Sequence, residues 1–414
     1  AVFLVHQLRQ LISPVPRIRP SISGKELRAV CSAREELERS ILERLRSITG
    51  VEYGLLLPYG RSAISLFCRT FLTQSKPEVF IPAYNCVVVA NAVAANGMMP
   101  RFVDIGLRDG NIDPEALALA VKGHNSELLV ITHMYGNSCG LDEIISIQRR
   151  ANIRFLMCDA ALALYSYHNG KHVCEFGDVA LLSFSTGKHL TAIEGGALLT
   201  NDRQIFVELE REFESVTKSP TVVTELSKIA FLLGIAATYG LNLYAIADYL
   251  YHQTSALDFL TGELKGEEVE LPRDVYQGIS SIQKRVLAAQ LEREAEIFSR
   301  RSLIQKRYLE AGFHNAIIND SVATNQLSHF SIRSVDRNGL IQAGMRRGIF
   351  LDGPLFDYAI SDLSQFREFG GAGCANATSL AASCVNLPSY PDLTHEQQNR
   401  VIQLVHDCER PRKS

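Results

Sequence analysis

A surplus of positive charge is missing from this sequence: 42 lysines and arginines stand against 45 aspartates and glutamates, for a formal charge of −3. With no basic field and no RNA- or DNA-binding motif, nucleic acid is not an expected partner. Paired cysteines are missing as well. The nine cysteines (Cys31, Cys68, Cys86, Cys139, Cys158, Cys174, Cys374, Cys384 and Cys408) are odd in number, scattered and without a CxxC pair. That pattern provides neither a zinc site nor a disulfide framework, and no metal is expected. Several lie inside apolar runs, as Cys158 does after Leu156-Met157, where a free thiol packs like a small hydrophobe. A reducing, cytoplasmic compartment is the expectation. Residues 1–5 are apolar, but no basic stretch precedes them and no small-residue cleavage site follows closely, so a secretory signal is not expected.

What is present is the ordinary balance of a folded chain, with 46% hydrophobic and 21% charged residues. The length of 414 residues exceeds what one core usually serves. The expected organisation is an N-terminal segment and helix over 1–48, a large α/β domain over 49–273, and a bridging helix with a smaller α+β domain over 274–414. In residues 35–48, apolar positions recur at helical spacing among charges. Beyond them, short apolar runs at 54–57, 79–81, 101–104, 128–132, 154–158, 179–184 and 197–200 read as strands. Helical stretches at 62–72, 87–95, 114–121 and 141–151 lie between several of them. That rhythm predicts a mostly parallel sheet with helices on both faces. The last two strands are joined by a loop alone, so one of them is a candidate for antiparallel pairing.

Residues 221–260 break the rhythm with a hydrophobic helical insert. Its apolar part, 221–251, is nearly long enough to span a bilayer, but Lys228, Asn242 and Asp248 interrupt it. A helical pair buried in a dimer or lid contact is the expectation, with weak membrane association the other reading. Residues 280–309 read as one long solvated helix. After it, a strand at 328–332 and helices at 337–347 and 396–408 read as the smaller domain.

In parallel sheets, ligands bind at the carboxyl ends of the strands. There the strand 154–158 ends in Asp159, a carboxyl that is costly to bury unless something positive meets it. Taken alone, Asp159 could merely cap a helix. The segment Ser183-Phe-Ser-Thr-Gly-Lys188-His189 leaves another apolar strand at the same edge. An amine that forms imines must lose its proton readily, which a dry pocket favours. A pyridine ring used as an electron sink needs a carboxylate to keep its nitrogen protonated. Lys188 and Asp159 meet these two demands. Gly60-Arg61-Ser62 opens a helix, where free N–H groups and the dipole attract phosphate, and Arg61 could add a bidentate contact.

In order and spacing, a set of short stretches resembles the DegT/DnrJ/StrS sugar aminotransferases, within the fold-type-I pyridoxal-phosphate enzymes. They include Pro82-Ala-Tyr-Asn, Phe102-Val-Asp-Ile, Asn111-Ile-Asp-Pro, His133-Met-Tyr-Gly, Cys158-Asp-Ala-Ala, Lys188-His-Leu, Glu194-Gly-Gly and Leu387-Pro-Ser-Tyr-Pro-Asp-Leu-Thr. The resemblance implies pyridoxal 5'-phosphate bonded to Lys188, with Asp159 facing its ring nitrogen. It places the phosphate among Ser183, Gly60, Arg61 and Ser62. Where the family stacks an aromatic ring on the cofactor this chain has Cys86, and the neighbouring Tyr84 is the candidate instead. A homodimer with shared active sites is also implied. The activity implied is amino transfer from glutamate to a keto sugar, by family habit a nucleotide-linked 4-keto-6-deoxy sugar, for surface polysaccharide or secondary metabolites. Lys188 would be the general acid and base.

Departures from the family pattern are Arg61 for Thr, Leu162 for Gln, His189 for Asn, and Tyr276 within the segment that in relatives reaches the neighbouring subunit's phosphate. They keep two other readings open: a non-catalytic, cofactor-binding scaffold dimer, and an aminotransferase acting on an amphiphilic or lipid-linked ketone. His189 next to Lys188 could touch phosphate or substrate, though a histidine beside such a loop is more often satisfied structurally.

Overall fold

The computed structural model describes residues 14–32, 36–72, 77–241, 243–244, 269–351, 356–369 and 373–409. Apolar strands alternating with helices build one large sheet. In chain order the strands are β1 (Tyr53–Leu57), β2 (Glu78–Pro82), β3 (Met99–Val103), β4 (Ser126–Thr132), β5 (Phe155–Asp159), a short hairpin of β6 (Tyr167–His168) and β7 (Lys171–His172), then β8 (Val179–Ser183) and β9 (Gly196–Thr200). Seven of them pair in the order β1-β9-β8-β5-β4-β2-β3. The pairs from β8 through β3 are parallel, while β9 runs antiparallel to both β8 and β1. The antiparallel member expected from the short connection is therefore β9. It turns back because residues 184–195 form a loop with no helix to carry the chain back across the sheet.

Every residue of β4 is buried, and alternate side chains enter different cores. Leu128 and Val130 join one cluster, Leu129 and Ile131 the other. In β5, Phe155 and Met157 divide from Leu156 and Cys158 in the same way. Two-residue periodicity with both faces apolar is the signature of a sheet covered on both sides. Each such Leu or Ile contributes roughly 1.5–3 kcal/mol on burial.

A third core unites β10 (Phe330–Arg333) and β11 (Cys384–Leu387), paired antiparallel, with Tyr308, Leu340 and Leu404 from helices around them. Val15 lies in this core too. Its N–H donates to the Gly348 carbonyl and its own carbonyl accepts from the Phe350 N–H. The N-terminal segment is thus part of the smaller domain's packing, which its sequence did not disclose.

One expectation is corrected. Residues 280–309 are not one helix but two, Ser281–Glu292 and Glu294–Glu310, separated at Arg293 with φ −101° and ψ 5°. The first is not solvated either: Ile282, Val286, Leu287 and Leu291 are buried, so its mixed charges mark only one face. Of the hydrophobic insert, residues 221–241 and 243–244 are described; they include the helix Val222–Gly240, which has one exposed side and Leu232 as its one buried residue. Residues 245–260 of the expected insert lie outside the described residues.

One glycine fixes the edge on which the site is built. A Cβ at Gly196 would sit 2.5 Å from the Tyr59 carbonyl oxygen and 2.6 Å from the Gly60 nitrogen. Both are backbone atoms that cannot swing aside. Gly196→Ala is expected to destabilise the protein by about 1–3 kcal/mol, as overpacking of a fixed contact does. Urea denaturation measures this; a loss below about 0.5 kcal/mol would show that the turn yields freely.

Candidate active site

Strands β1, β2, β4, β5 and β8 end at the same edge, and β9 begins there, so the polar residues that follow each strand gather in one place. Asp159 is the last residue of β5 and is buried, 3% exposed. Its Oδ1 accepts from the Ala161 N–H at 3.0 Å and its Oδ2 from the Thr132 hydroxyl at 3.1 Å. Asn85 Nδ2 donates to that same hydroxyl at 2.8 Å, so a chain of polar groups fixes the carboxyl from behind. No helix follows Asp159, and its bond to Ala161 closes a local turn. Burial raises its pKa above the usual carboxyl range, against the opposing pull of the Ala161 N–H, the Lys188 charge and Thr132.

Lys188 follows β8 in a tight turn closed by its N–H to the Ser185 carbonyl at 3.1 Å. Burial lowers the pKa of its amine, while the neighbouring Cys86 and Asp159 act in the opposite sense. The half-buried Lys188 and the buried Asp159 thus feel each other's charge, and desolvation draws both toward their neutral forms. The Lys188 carbonyl accepts from Arg301 Nη2 at 3.1 Å. Arg301 Nη1 donates to the carbonyls of Ser328 and Ser389 at 3.2 and 3.0 Å, clamping the turn to the smaller domain. His189 is buried with Nε2 donating to the Gln326 carbonyl at 3.2 Å, a structural engagement.

The anion-binding end lies at the helix Gly60–Phe71. A Cβ at Gly60 would sit 3.2 Å from Ser183 Cβ, so the turn and the end of β8 touch. The Arg61 guanidinium rests over the Tyr59 ring, 5.3 Å from its centre. Ser62 is 1% exposed, and among the described residues neither its Oγ nor Arg61 Nη1 has a hydrogen-bond partner. The Arg61 charge reaches Cys86, as do those of Lys188 and Asp159. Lys188, Asp159, Ser183, Gly60, Arg61 and Ser62 therefore form one constellation.

Tyr84 does not join it. Its ring is fully buried in a hydrophobic core, and its hydroxyl lies 2.6 Å from the Tyr135 hydroxyl and donates to the Phe356 carbonyl at 3.3 Å. The apolar and hydroxyl partners behind the strand end hold it away, and Cys86 is the nearer neighbour of Lys188 and Asp159. Leu162 is likewise buried in the core. Tyr276 turns inward, its hydroxyl 2.6 Å from Ser65 Oγ and 3.3 Å from Asn96 Oδ1. Sequence reasoning missed Thr132, Asn85 and Arg301. Thr132 is the last residue of β4 and Asn85 lies three residues past the end of β2, a usable signal; nothing local marks Arg301, which arrives from a distant helix. His133 opens one of the stretches that carry the family resemblance. It is fully buried, accepts the Cys139 N–H on Nδ1, and is pushed down by burial to about 3.

The sequence profile described as the DegT/DnrJ/EryC1/StrS aminotransferase family matches residues 28–225 and 277–406. EpsN of Bacillus subtilis (strain 168) is 25% identical over 409 residues, covering 93% of each chain. The GDP-perosamine synthase of Escherichia coli O157:H7 is 25% identical over 200 residues, about half of each protein, at 46% of this chain and 54% of the synthase. Among solved structures, Helicobacter pylori PseC, an aminotransferase involved in the biosynthesis of pseudoaminic acid, shares the fold with a TM-score of 0.73 at 18% identity, over 96% of this chain and 99% of PseC.

The buried carboxyl has a measurable consequence in cofactor-free protein. Because the folded-state pKa of Asp159 is raised, its contribution to stability is full below the ordinary carboxyl range and is lost as pH rises through the raised value. Asp159→Asn removes that loss. The Tm of the variant minus that of the wild type should grow from acid to neutral pH, by on the order of 2 °C per kcal/mol. A difference that stays flat with pH would contradict an uncompensated carboxyl.

Proposed function

This chain belongs to the DegT/DnrJ/EryC1/StrS aminotransferase family, and from that premise we propose that it is a pyridoxal-phosphate-dependent aminotransferase. It moves an amino group from glutamate to a keto sugar carried on a nucleotide, in the making of surface polysaccharide or a secondary metabolite. The carrying observation is the convergence of the Lys188 amine and the Asp159 carboxyl with two buried, unbonded polar groups, Ser62 Oγ and Arg61 Nη1.

The residues present fit the cofactor. A phosphate would satisfy Ser62 Oγ and Arg61 Nη1 at the start of the Gly60–Phe71 helix, where the dipole and free N–H groups favour an anion. A protonated ring nitrogen would give Asp159 the cation it lacks. When bound, pyridoxal phosphate supplies an electron-poor ring that delocalises negative charge from the substrate carbon. Asp159, held by Thr132 and Ala161, keeps a proton on the ring nitrogen. Lys188 Nζ sheds its proton readily because burial disfavours its charge, and it then takes and returns the proton that moves during transfer. Arg301 holds the Lys188 main chain so that the amine keeps its direction.

The GDP-perosamine synthase relative supports an activated sugar as acceptor. The nine cysteines, all free thiols, support a cytoplasmic setting. A homodimer is part of the same proposal. Tyr276, bonded to Ser65 and Asn96 of its own chain, favours the second reading, a cofactor-binding protein without turnover.

Absorbance separates the two readings. Glutamate added to cofactor-loaded protein should convert the aldehyde-form band to the amine-form band, and nucleotide 4-keto sugars should reverse it with an aminated product seen by mass spectrometry. Lys188→Ala should slow conversion by about 10²–10⁴-fold. A band unmoved by glutamate leaves the non-catalytic reading.

A further inference from the structure

Ile193 lies in the loop that carries Lys188 and holds a left-handed backbone conformation, φ 74°. A β-branched side chain rarely accepts that geometry, and such strain persists only where the surroundings over-determine it. The loop closes on itself beside the strain. The Phe184 N–H donates to the Gly195 carbonyl and the Ala192 N–H to the Phe184 carbonyl, both at 2.8 Å. Residues 184–195 are therefore one closed loop, with Lys188 inside it and Ile193-Glu194 on the limb that returns to β9.

That limb is held by the helix Val222–Gly240, whose residues Glu225, Lys228 and Leu232 recur at helical spacing and face the body of the protein. Glu225 accepts the N–H groups of Ser281 and Ile282 at 2.7 and 3.1 Å, which docks the helix on the start of Ser281–Glu292. Leu232 packs with Ile193, Ile282 and Val286 in one buried cluster. Lys228 forms an ion pair with Glu194, whose carbonyl accepts from Gln283 Nε2 at 2.8 Å. The Lys228 ammonium also lies 5.8 Å from the centre of the Tyr59 ring, on whose ring Arg61 rests. One helix thus touches the limb of the lysine loop and the turn that would bind phosphate.

We propose that Lys228 is a positioning residue for amino transfer: through Glu194 it holds the limb at Ile193, and with it the direction in which the loop presents Lys188. The pair is largely sheltered, the lysine side chain 12% exposed and the glutamate 24%. Without the ammonium, a partly buried carboxylate is left unpaired, and such a group moves toward water. Residue 194 then draws its neighbour away from the left-handed conformation, and the closed loop shifts as a unit. The fold itself draws little on this helix, in which Leu232 is the one buried residue, so the consequence falls on the loop. The kinetic part of the proposal rests on the catalytic reading; the effect on the loop does not.

The test compares the full-length wild type with Lys228→Met, which keeps the bulk of the side chain and removes its charge. Before cofactor is added, amide exchange read by mass spectrometry should quicken at least about tenfold across residues 184–195 and stay unchanged in β4. With pyridoxal phosphate bound, the maximal rate of conversion by glutamate should fall about tenfold to hundredfold, with half-saturating glutamate within about twofold of wild type. Lys228→Arg restores the charge and should recover most of that rate. Arg211→Met, which removes an exposed ion pair with Glu208 on another helix, should change neither quantity. A wild type that glutamate does not convert would refute the amino-transfer reading, and the exchange comparison would still decide the role of Lys228. Equal exchange in the two proteins, faster exchange in β4 as well, or a rate loss that Lys228→Arg does not recover would each overturn the proposal.

Discussion

Asp159 is a carboxyl group buried with two hydrogen bonds and, among the described residues, no cation in bonding contact. An ionised carboxylate removed from water costs several kcal/mol unless it is paired. The chain spends two neighbouring strands on holding it in place, since Thr132 ends β4, Asp159 ends β5, and Asn85 supports Thr132 from the turn after β2. Such an arrangement makes sense when a positive group arrives with a ligand. The charge of Lys188 acts on it, and desolvation makes that amine easier to deprotonate. Two groups pushed toward neutrality from opposite directions are what imine chemistry on a protonated ring demands.

The rest of the edge serves that pair. Gly196 lets β9 lie against the Tyr59–Gly60 turn, which in turn lies against Ser183 at the end of β8. The strand that carries the lysine and the turn that would bind phosphate are therefore in direct contact. Arg301 adds the long-range tie, binding the Lys188 carbonyl and two carbonyls of the smaller domain with one guanidinium. Its burial, which lowers its pKa to about 10, is met by backbone oxygens rather than by a carboxylate. Lys228 and Glu194 connect this edge to the outward-facing helix beyond.

Much of this was legible in the sequence, for physical reasons. Runs such as Leu128-Leu-Val-Ile are apolar on both faces, so they announce buried parallel strands, and the residue that ends each run must lie at the ligand edge. That reasoning brings Asp159, Lys188, Ser183 and the 60–62 turn together correctly in space. It fails for Tyr84, because a residue two places past a strand end can turn either toward the crevice or into the core, and the Tyr135 hydroxyl and Phe356 carbonyl decide the matter from far along the chain. It fails for Val15, whose partners Gly348 and Phe350 lie more than 300 residues away, and for Arg301, whose three carbonyl partners come from separate segments of the chain. The break at Arg293 was hidden because every residue around it favours helix. The inward use of Glu225 and Lys228 on the helix Val222–Gly240 has no local signature.

The central claim is a covalent one, that the ε-amine at position 188 carries the cofactor. Protein purified with pyridoxal phosphate supplied, reduced with borohydride and digested, tests it most directly. The account predicts one labelled peptide, with the added mass on Lys188 and none in Lys188→Ala. Label on another lysine, or protein that binds no chromophore at all, would contradict it.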